Sequence, residues 1–396
     1  MAVATLTLVA NPGSASRKYG LYHEDHCLAR LHFEHQDNQL VCSVWTPFQS
    51  ISREFGDIQI EDSIYHVREL FEFAGVLKGD SSIDRVAIRI VAPGSFFLDN
   101  RIVDDEFLDR FKQAAQQAPL HVGATLVEIQ CLRSVFSEAQ IVGVSDSKFH
   151  VTKPDYAWNY GLPLDVADRF GIKRFGYHGL SVAGALRRLH ESQIEADRII
   201  ICHLGSGSSV TAVREGVSID TTMGFSPLEG VVMATRSGSV DAVAVHELSR
   251  SLGLSHEETL EYLNNRSGLL GLSGSSSDIR ELIERESAGD YRASLALNVM
   301  VYSIQKSIGQ MAAVLNGVDA LVFTGTVGER SAIIRRRIVE NLRYLDFAIN
   351  PHTNEPCLSP TELTWVSDAR ISKPIYVVPT DETREMIRAA ITAVSW

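Results

Sequence analysis

The chain has 396 residues, 45% hydrophobic and 22% charged, enough for two or three domains with sizeable cores. Its formal net charge of −12 argues against a protein that coats nucleic acid, and no apolar run reaches the length needed to span a membrane. Five scattered cysteines (Cys27, Cys42, Cys131, Cys202, Cys357) lack metal-ligand spacing and fit reduced thiols in a cytoplasmic protein; the segment after Met1 lacks the charged region and cleavage site of a secretory signal.

Thr5 to Ala10 is apolar and strand-like, Asn11 to Ser16 is a turn, and Lys18 to Tyr22 resumes as a strand. Cys27 to Phe33 and Leu40 to Trp45 extend this into a meander. Ile60 to Leu77 has helical spacing, with Ile64, Val67, Leu70, Phe71 and Phe73 apolar among acids. Asp84 to Val91 is a strand ending at Ala92-Pro93-Gly94, and Asp104 to Gln117 is a helix. Ala118 to His121 reads as a loop, followed by a helix to about Phe136. Ala139 to Val144 is a strand that ends at Ser145-Asp146. The first domain boundary is expected soon after, near the Lys153-Pro154 loop.

In the second half, Phe175 to Ser181 leads into a helix reaching about Ser192. Ile199 to Val213 is a continuous apolar run, then two glycines and three serines, then an apolar/polar alternation. It lacks the third glycine and the following helix of a dinucleotide fingerprint, so it reads as strand, tight turn, strand. Taken alone it fits an ordinary hairpin. Such a turn also offers backbone N–H groups and hydroxyls to an anion, and the Asn11–Ser16 turn is its earlier counterpart. The repetition suggests two duplicated α/β halves. Val240 to Leu252 and His256 to Leu263 are helices, and Ser273 to Asp278 is a polar loop with an N-cap. Tyr291 to Leu315 is a long apolar helix, either buried or at a subunit contact. Ala320 to Thr324 is a strand running into a turn at Gly325–Glu329, with a helix from Ser331. Pro374 to Val378 is the last strand, and Thr380-Asp381-Glu382 opens the final helix.

Phosphoryl transfer needs such parts: turns that hold phosphates, carboxylates that hold Mg²⁺ through oxygen, and cations that neutralise the moving group. Asp146 and Glu382 sit at a strand end and a helix start; Arg89 and Arg236 lie beside turns. Each arginine alone reads more readily as a surface ion pair, and His178 equally as a buried structural histidine.

Ordered motifs then carry a resemblance over essentially the whole chain. Asn11-Pro-Gly-Ser-Ala-Ser-Arg-Lys18 resembles the N-x-G-S-x-S-x-K motif of acetate kinases. Arg174-Phe-Gly-Tyr-His-Gly179 and Cys202-His-Leu-Gly-Ser-Gly207 are similar to their R-x-G-F-H-G and C-H-L-G-N-G. Met223-Gly-Phe-Ser-Pro-Leu-Glu-Gly230, Thr235-Arg-Ser-Gly238, Gly325-Thr-Val-Gly-Glu329 and Pro379-Thr-Asp-Glu382 complete the set. The resemblance implies two duplicated actin-like domains of the sugar kinase and Hsp70 type, with an active cleft between them. The expected domains are 1–150, with the final helix 383–396 packed on it, and 151–382, carrying the nucleotide and a dimer contact. The implied reaction is ATP + acetate ⇌ ADP + acetyl phosphate with Mg²⁺ (or Mn²⁺), in a cytoplasmic homodimer that binds neither nucleic acid nor membrane.

The resemblance also implies roles. Arg89, Asp146, His178 and Arg236 would be catalytic, with Arg89 also holding the acid. Val91, Leu120, His121, Tyr177 and Pro227 would surround the acyl group. Ser14, Ser16, Lys18, His203, Gly205 and Gly207 would surround the phosphates; Asp278, Ile279, Arg280, Gly325, Gly328 and Glu329 would border the adenosine. Asn11 and Glu382 would position the metal. The sequence departs from the family at Pro12, Ala92-Pro93, Val122, Tyr177, Ser206 and Arg330, most of them close to these positions. The departures leave open a preference for propionate or another short acid, a different phosphoryl donor, or a catalytically impaired paralogue. The competing class is an actin-like ATPase acting as filament or chaperone, which leaves Arg89, Arg236 and a small apolar pocket unexplained.

Overall fold

The computed structural model describes residues 5–13, 16–36, 39–79, 81–117 and 119–394. Ser14 therefore lies outside the described residues, as do the side chains of Leu120 and His121. The chain forms two compact units: Met1–Lys148 with Asp381–Trp396, and Phe149–Thr380.

The first unit is built on an eight-stranded sheet of order β5-β4-β3-β2-β1-β6-β8-β7. Its strands are β1 (Leu6–Pro12), β2 (Ser16–His23), β3 (His26–Gln36), β4 (Gln39–Trp45), β5 (Ser50–Glu54), β6 (Arg85–Ile90), β7 (Arg101–Ile102) and β8 (Gln140–Ser145). β1 to β5 form an antiparallel meander, while β1, β6 and β8 run parallel. β6 is an unbroken apolar stretch apart from its arginines, as suits a strand with neighbours on both edges and cover on both faces. The helix Glu382–Val394 packs on β1, β6 and β8 with Met386, Ile387 and Ala390 fully buried. That places Glu382, at its first turn, beside the ends of those strands.

The second unit has a six-stranded sheet of order β11-β10-β9-β12-β14-β13. Its strands are β9 (Arg198–Leu204), β10 (Ser208–Arg214), β11 (Val217–Thr221), β12 (Ala320–Thr324), β13 (Thr364–Trp365) and β14 (Ile375–Val377). Again a three-stranded antiparallel meander (β9, β10, β11) is followed by strands parallel to its first member (β12, β14). The two sheets therefore share one plan, that of the duplicated actin-like fold. The helix Tyr291–Leu315 lies on β9, β10 and β11, burying Ala293, Leu297, Met300, Ile304, Ile308 and Leu315. Among the described residues no helix is long and apolar enough to cross a membrane.

Several local expectations change. The segment read as a loop at Pro119–His121 is the start of the helix Pro119–Val135; proline fits a first turn because its missing N–H has no intrahelical role there. The turn expected at Gly325–Glu329 is a short helix, Gly325–Arg330. Its two glycines hide it from propensity, and tertiary hydrogen bonds hold it. The helix expected over Ile60–Leu77 is a 3₁₀ turn, Ile60–Ser63, followed by Ile64–Phe73. It ends where Gly75 takes a left-handed φ of 72°, which stops the helix at little steric cost. The edge strand β5, the strand β11 and the short helices Leu164–Phe170 and Gly268–Ser273 have patterns too weak or short to read from sequence.

Candidate active site

In the first unit four expected site residues meet. Arg89, near the end of β6, donates from Nη2 to Asp146 Oδ2 at 2.7 Å and from Nη1 to Glu382 Oε2 at 3.1 Å. Asn11, on β1, donates from Nδ2 to the same Glu382 oxygen at 3.2 Å. Asp146 is fully buried just past β8, with its backbone N–H bonded to the Ile90 carbonyl. The topology explains the meeting: β1, β6 and β8 are adjacent parallel strands, so their C-terminal ends line one edge. Burial acts to lower the pKa of Arg89, but the Asp146 and Glu382 carboxylates outweigh it and hold the pKa above its ordinary value. The guanidinium is a fixed cation. Its Nε is buried without a hydrogen-bond partner. Lys18 is exposed on β2, opposite Asn11, and Ser16 accepts from Gly13 N–H at the hairpin tip. Val91 is half-buried just beyond β6.

In the second unit another group assembles around the β9–β10 turn. His178 precedes the helix Gly179–Glu191 in a left-handed conformation, φ 61°, and its Nδ1 lies 3.0 Å from Ser209 Oγ. A positive φ in a non-glycine residue is a local strain that the surroundings must impose. The His203 ring is 4.1 Å from the His178 ring, with Nδ1 2.7 Å from Ser181 Oγ. The turn itself closes with Gly205 N–H donating to the Gly207 carbonyl. A Cβ on Gly207 would lie 3.1 Å from Arg236 Nη1 and 3.3 Å from His178 Nε2. Two side-chain nitrogens thus face the same small volume, and only glycine leaves it open. Arg236 also points Nη1 toward the Pro227 carbonyl at 3.4 Å. Tyr177 is buried and donates its hydroxyl to the Phe225 carbonyl at 2.7 Å.

Farther along this unit, the Gly325 N–H donates to Thr380 Oγ1 at 2.8 Å and to Glu329 Oε1 at 3.1 Å. Glu329 Oε1 also accepts from the Thr380 N–H and hydroxyl, so this carboxylate fixes the start of its own helix. Gly328 is buried, and its carbonyl accepts from the fully buried Arg335. Asp278 caps the helix Ile279–Ser287, and Arg280 grips it from exposed solvent with contacts of 2.6 and 3.1 Å. Ile279 is buried. No hydrogen bond between described residues ties Asp278 or Arg280 to the Gly325 helix.

Sequence reasoning missed the residues that orient these groups: Ser181, Ser209, Thr380, Tyr160 and Arg335. Tyr160 donates to Glu229, which pairs with Arg174 at 2.7 Å, and the Phe225 N–H donates to Tyr160. Among the described residues, no cluster of three or more His, Cys, Asp or Glu is placed to hold a metal ion.

The Acetokinase family model matches residues 6–388. Acetate kinase of Bacillus cytotoxicus is 39% identical over 321 residues, covering 79% of this chain and 80% of that protein. Acetate kinase of Clostridium kluyveri is 40% identical over 312 residues, 78% of this chain and 76% of that protein. Among solved structures, a propionate kinase from Francisella tularensis superposes with a TM-score of 0.88 at 30% identity, over 98% of this chain and all of that one. Acetate kinase of Porphyromonas gingivalis gives 0.85 at 30% identity, over 99% of this chain and all of that one. With the motifs in order and the match nearly end to end, the chain belongs to the Acetokinase family.

Proposed function

We propose that this chain is an ATP-dependent carboxylate kinase that transfers the γ-phosphoryl group to acetate, giving acetyl phosphate and ADP, reversibly. The observation that carries the reading is the pair His178 Nε2 and Arg236 Nη1, both within about 3.4 Å of the space above Gly207. A metaphosphate-like group with spread negative charge suits two fixed donors aimed at one small volume. When the Ser209 hydroxyl is the donor in its 3.0 Å contact with His178 Nδ1, the ring proton sits on Nε2, the form that donates to an equatorial phosphoryl oxygen.

Arg89 supplies the cation for the acid. Asp146 and Glu382 lock its planar group in orientation. The roles around the acyl group fall, as in the family motif, to Val91, Leu120, His121, Tyr177 and Pro227. Ser14, Ser16, Lys18, His203 and Gly205 serve the phosphates; Asp278, Ile279, Gly325 and Glu329 serve the adenosine. Asn11 and Glu382 offer hard oxygen atoms of the kind Mg²⁺ takes, with Asp146 close by, and so few carboxylates fit an ion carried mainly by nucleotide phosphates and water. When bound, Mg²⁺ neutralises phosphate charge.

A second reading is a preference for propionate, favoured by the likeness to the Francisella propionate kinase. Trapping acyl phosphates as hydroxamates with acetate, propionate and butyrate, each with ATP or pyrophosphate, separates the readings. Acetate used with ATP at least as well as propionate supports the first. No product from any acid refutes both, and turnover that survives exhaustive EDTA removes the metal from the scheme. The reading extends to a cytoplasmic homodimer. Tyr291, Leu295 and Tyr302 form an exposed stripe on the helix Tyr291–Leu315 that suits a subunit contact, and light scattering on the purified chain tests it.

A further inference from the structure

Arg17 and Glu128 are a buried ion pair outside the groups named above. Their side chains are 1% and 2% exposed. Arg17 sits on β2 directly opposite Pro12, one position before Lys18, whose partner is Asn11. Pro12 stands at a non-hydrogen-bonded position of the hairpin, where its missing N–H removes no bond to β2. The tip is held by the Gly13 N–H bond to the Ser16 carbonyl at 2.9 Å and the Arg17 Nη1 bond to the Gly13 carbonyl. The rest of the guanidinium faces Glu128 Oε2 at 3.4 Å through Nε and Glu61 Oε1 at 3.5 Å through Nη2. Glu128 belongs to the helix Pro119–Val135, and its other oxygen accepts from Tyr19 at 2.6 Å; Tyr19 also meets Ser63 Oγ at 3.2 Å. One planar cation thus joins the hairpin tip, the turn at Ile60–Ser63 and the helix that begins at Pro119.

A buried ion pair is poor value as a stabiliser, since apolar residues of similar volume often do as well or better. What it supplies is geometry: five donors in a rigid fork reaching three elements at once. We propose that Arg17, held by Glu128, is a positioning residue that fixes the Asn11–Lys18 hairpin tip for phosphate binding. The inference rests on the carboxylate-kinase reading for its kinetic consequence, but its structural half stands apart from catalysis.

The test uses Arg17→Met, Glu128→Leu and the double variant in the full chain. Arg17→Met leaves the Glu128 carboxylate buried without its cation, and Glu128→Leu leaves Arg17 only the exposed Glu61 as an ion partner, so each unfolds at lower urea; the double variant returns to near the wild-type midpoint. In hydrogen–deuterium exchange, peptides covering 11–18 exchange faster in the double variant while β6 and β8 peptides do not. In the kinase assay, kcat/KM for ATP falls about tenfold or more, chiefly through KM, as expected when a binding loop is misplaced rather than chemistry removed. Unchanged exchange at 11–18 overturns the inference whether or not the chain is a kinase. Kinetics within about twofold of wild type, in an active wild-type background, overturn the positioning role and leave the pair purely structural. If the double variant fails to fold, Arg17→Lys decides. Lysine keeps the charge for Glu128 but cannot also hold Gly13, so an unchanged KM for ATP refutes the proposal.

Discussion

Replacing Arg89 by alanine is the most incisive perturbation of the proposed chemistry. The guanidinium bridges a fully buried carboxylate at 2.7 Å and a mostly buried one at 3.1 Å. Breaking a buried pair by removing one partner costs about 3–5 kcal/mol. Arg89 and Glu382 keep 17% and 14% exposure, so water entering the gap holds the cost near about 3 kcal/mol. A domain with about 5–15 kcal/mol of stability stays folded at room temperature. The rate should suffer more: losing a cation that serves a phosphoryl-transfer transition state costs about 10³ or more, equivalent to about 4 kcal/mol of barrier. Urea unfolding and hydroxamate formation, run on the same preparation, read the two effects separately. Arg89→Lys is the control. An ammonium restores a charge between the carboxylates but not the planar bridge, so stability recovers while most of the rate loss persists. A folded Arg89→Ala protein with kcat/KM within about threefold of wild type would refute the assignment.

Three other outcomes are expected. Burial lowers the Lys153 ammonium from its ordinary 10.5 to about 8, with Arg174 reinforcing this and Asp220 and Glu229 opposing it. The unfolded chain therefore holds more protons between about pH 8 and about pH 10.5, so this residue makes stability rise with pH across that window. Relative to Lys153→Met, the wild type should gain about 3 kcal/mol from neutral pH to about pH 10.5, and parallel stability curves would contradict this. Gly268 has φ +60°, and a Cβ there would lie 2.3 Å from the Met233 carbonyl and 2.8 Å from that of Arg236. Gly268→Ala should cost about 2 kcal/mol or more and displace the Arg236 loop; a normal melting temperature with normal turnover would refute that. Tyr177→Phe removes the bond to the Phe225 carbonyl, so it should lower stability by about 1 kcal/mol and shift the acetate-to-propionate ratio by less than about threefold. A large change in that ratio would mean the hydroxyl shapes the acyl pocket after all.

The sequence by itself determined most of the strands. β1, β2, β9, β10 and β12 are apolar runs bounded by glycine and serine turns, and their periodicity is local information. The motif order also identified the family, because short glycine-bearing motifs constrain backbone and side chain together. The cap at Asp278 was equally local, since an acceptor beside orphan N–H groups acts within one turn. The short helix Gly325–Arg330 was not legible. Its glycines disfavour it, and the bonds to Thr380 and Arg335 that hold it come from 55 residues downstream in one case and the next helix in the other. Nor could spacing show that Arg89, Asp146 and Glu382 touch, since they meet only because β6 and β8 pair and the final helix returns onto them. The same holds for Arg17 and Glu128. A lone arginine in a strand and a lone glutamate in a helix read as surface residues until packing buries both. Charge pairing across 111 positions is a property of the folded core.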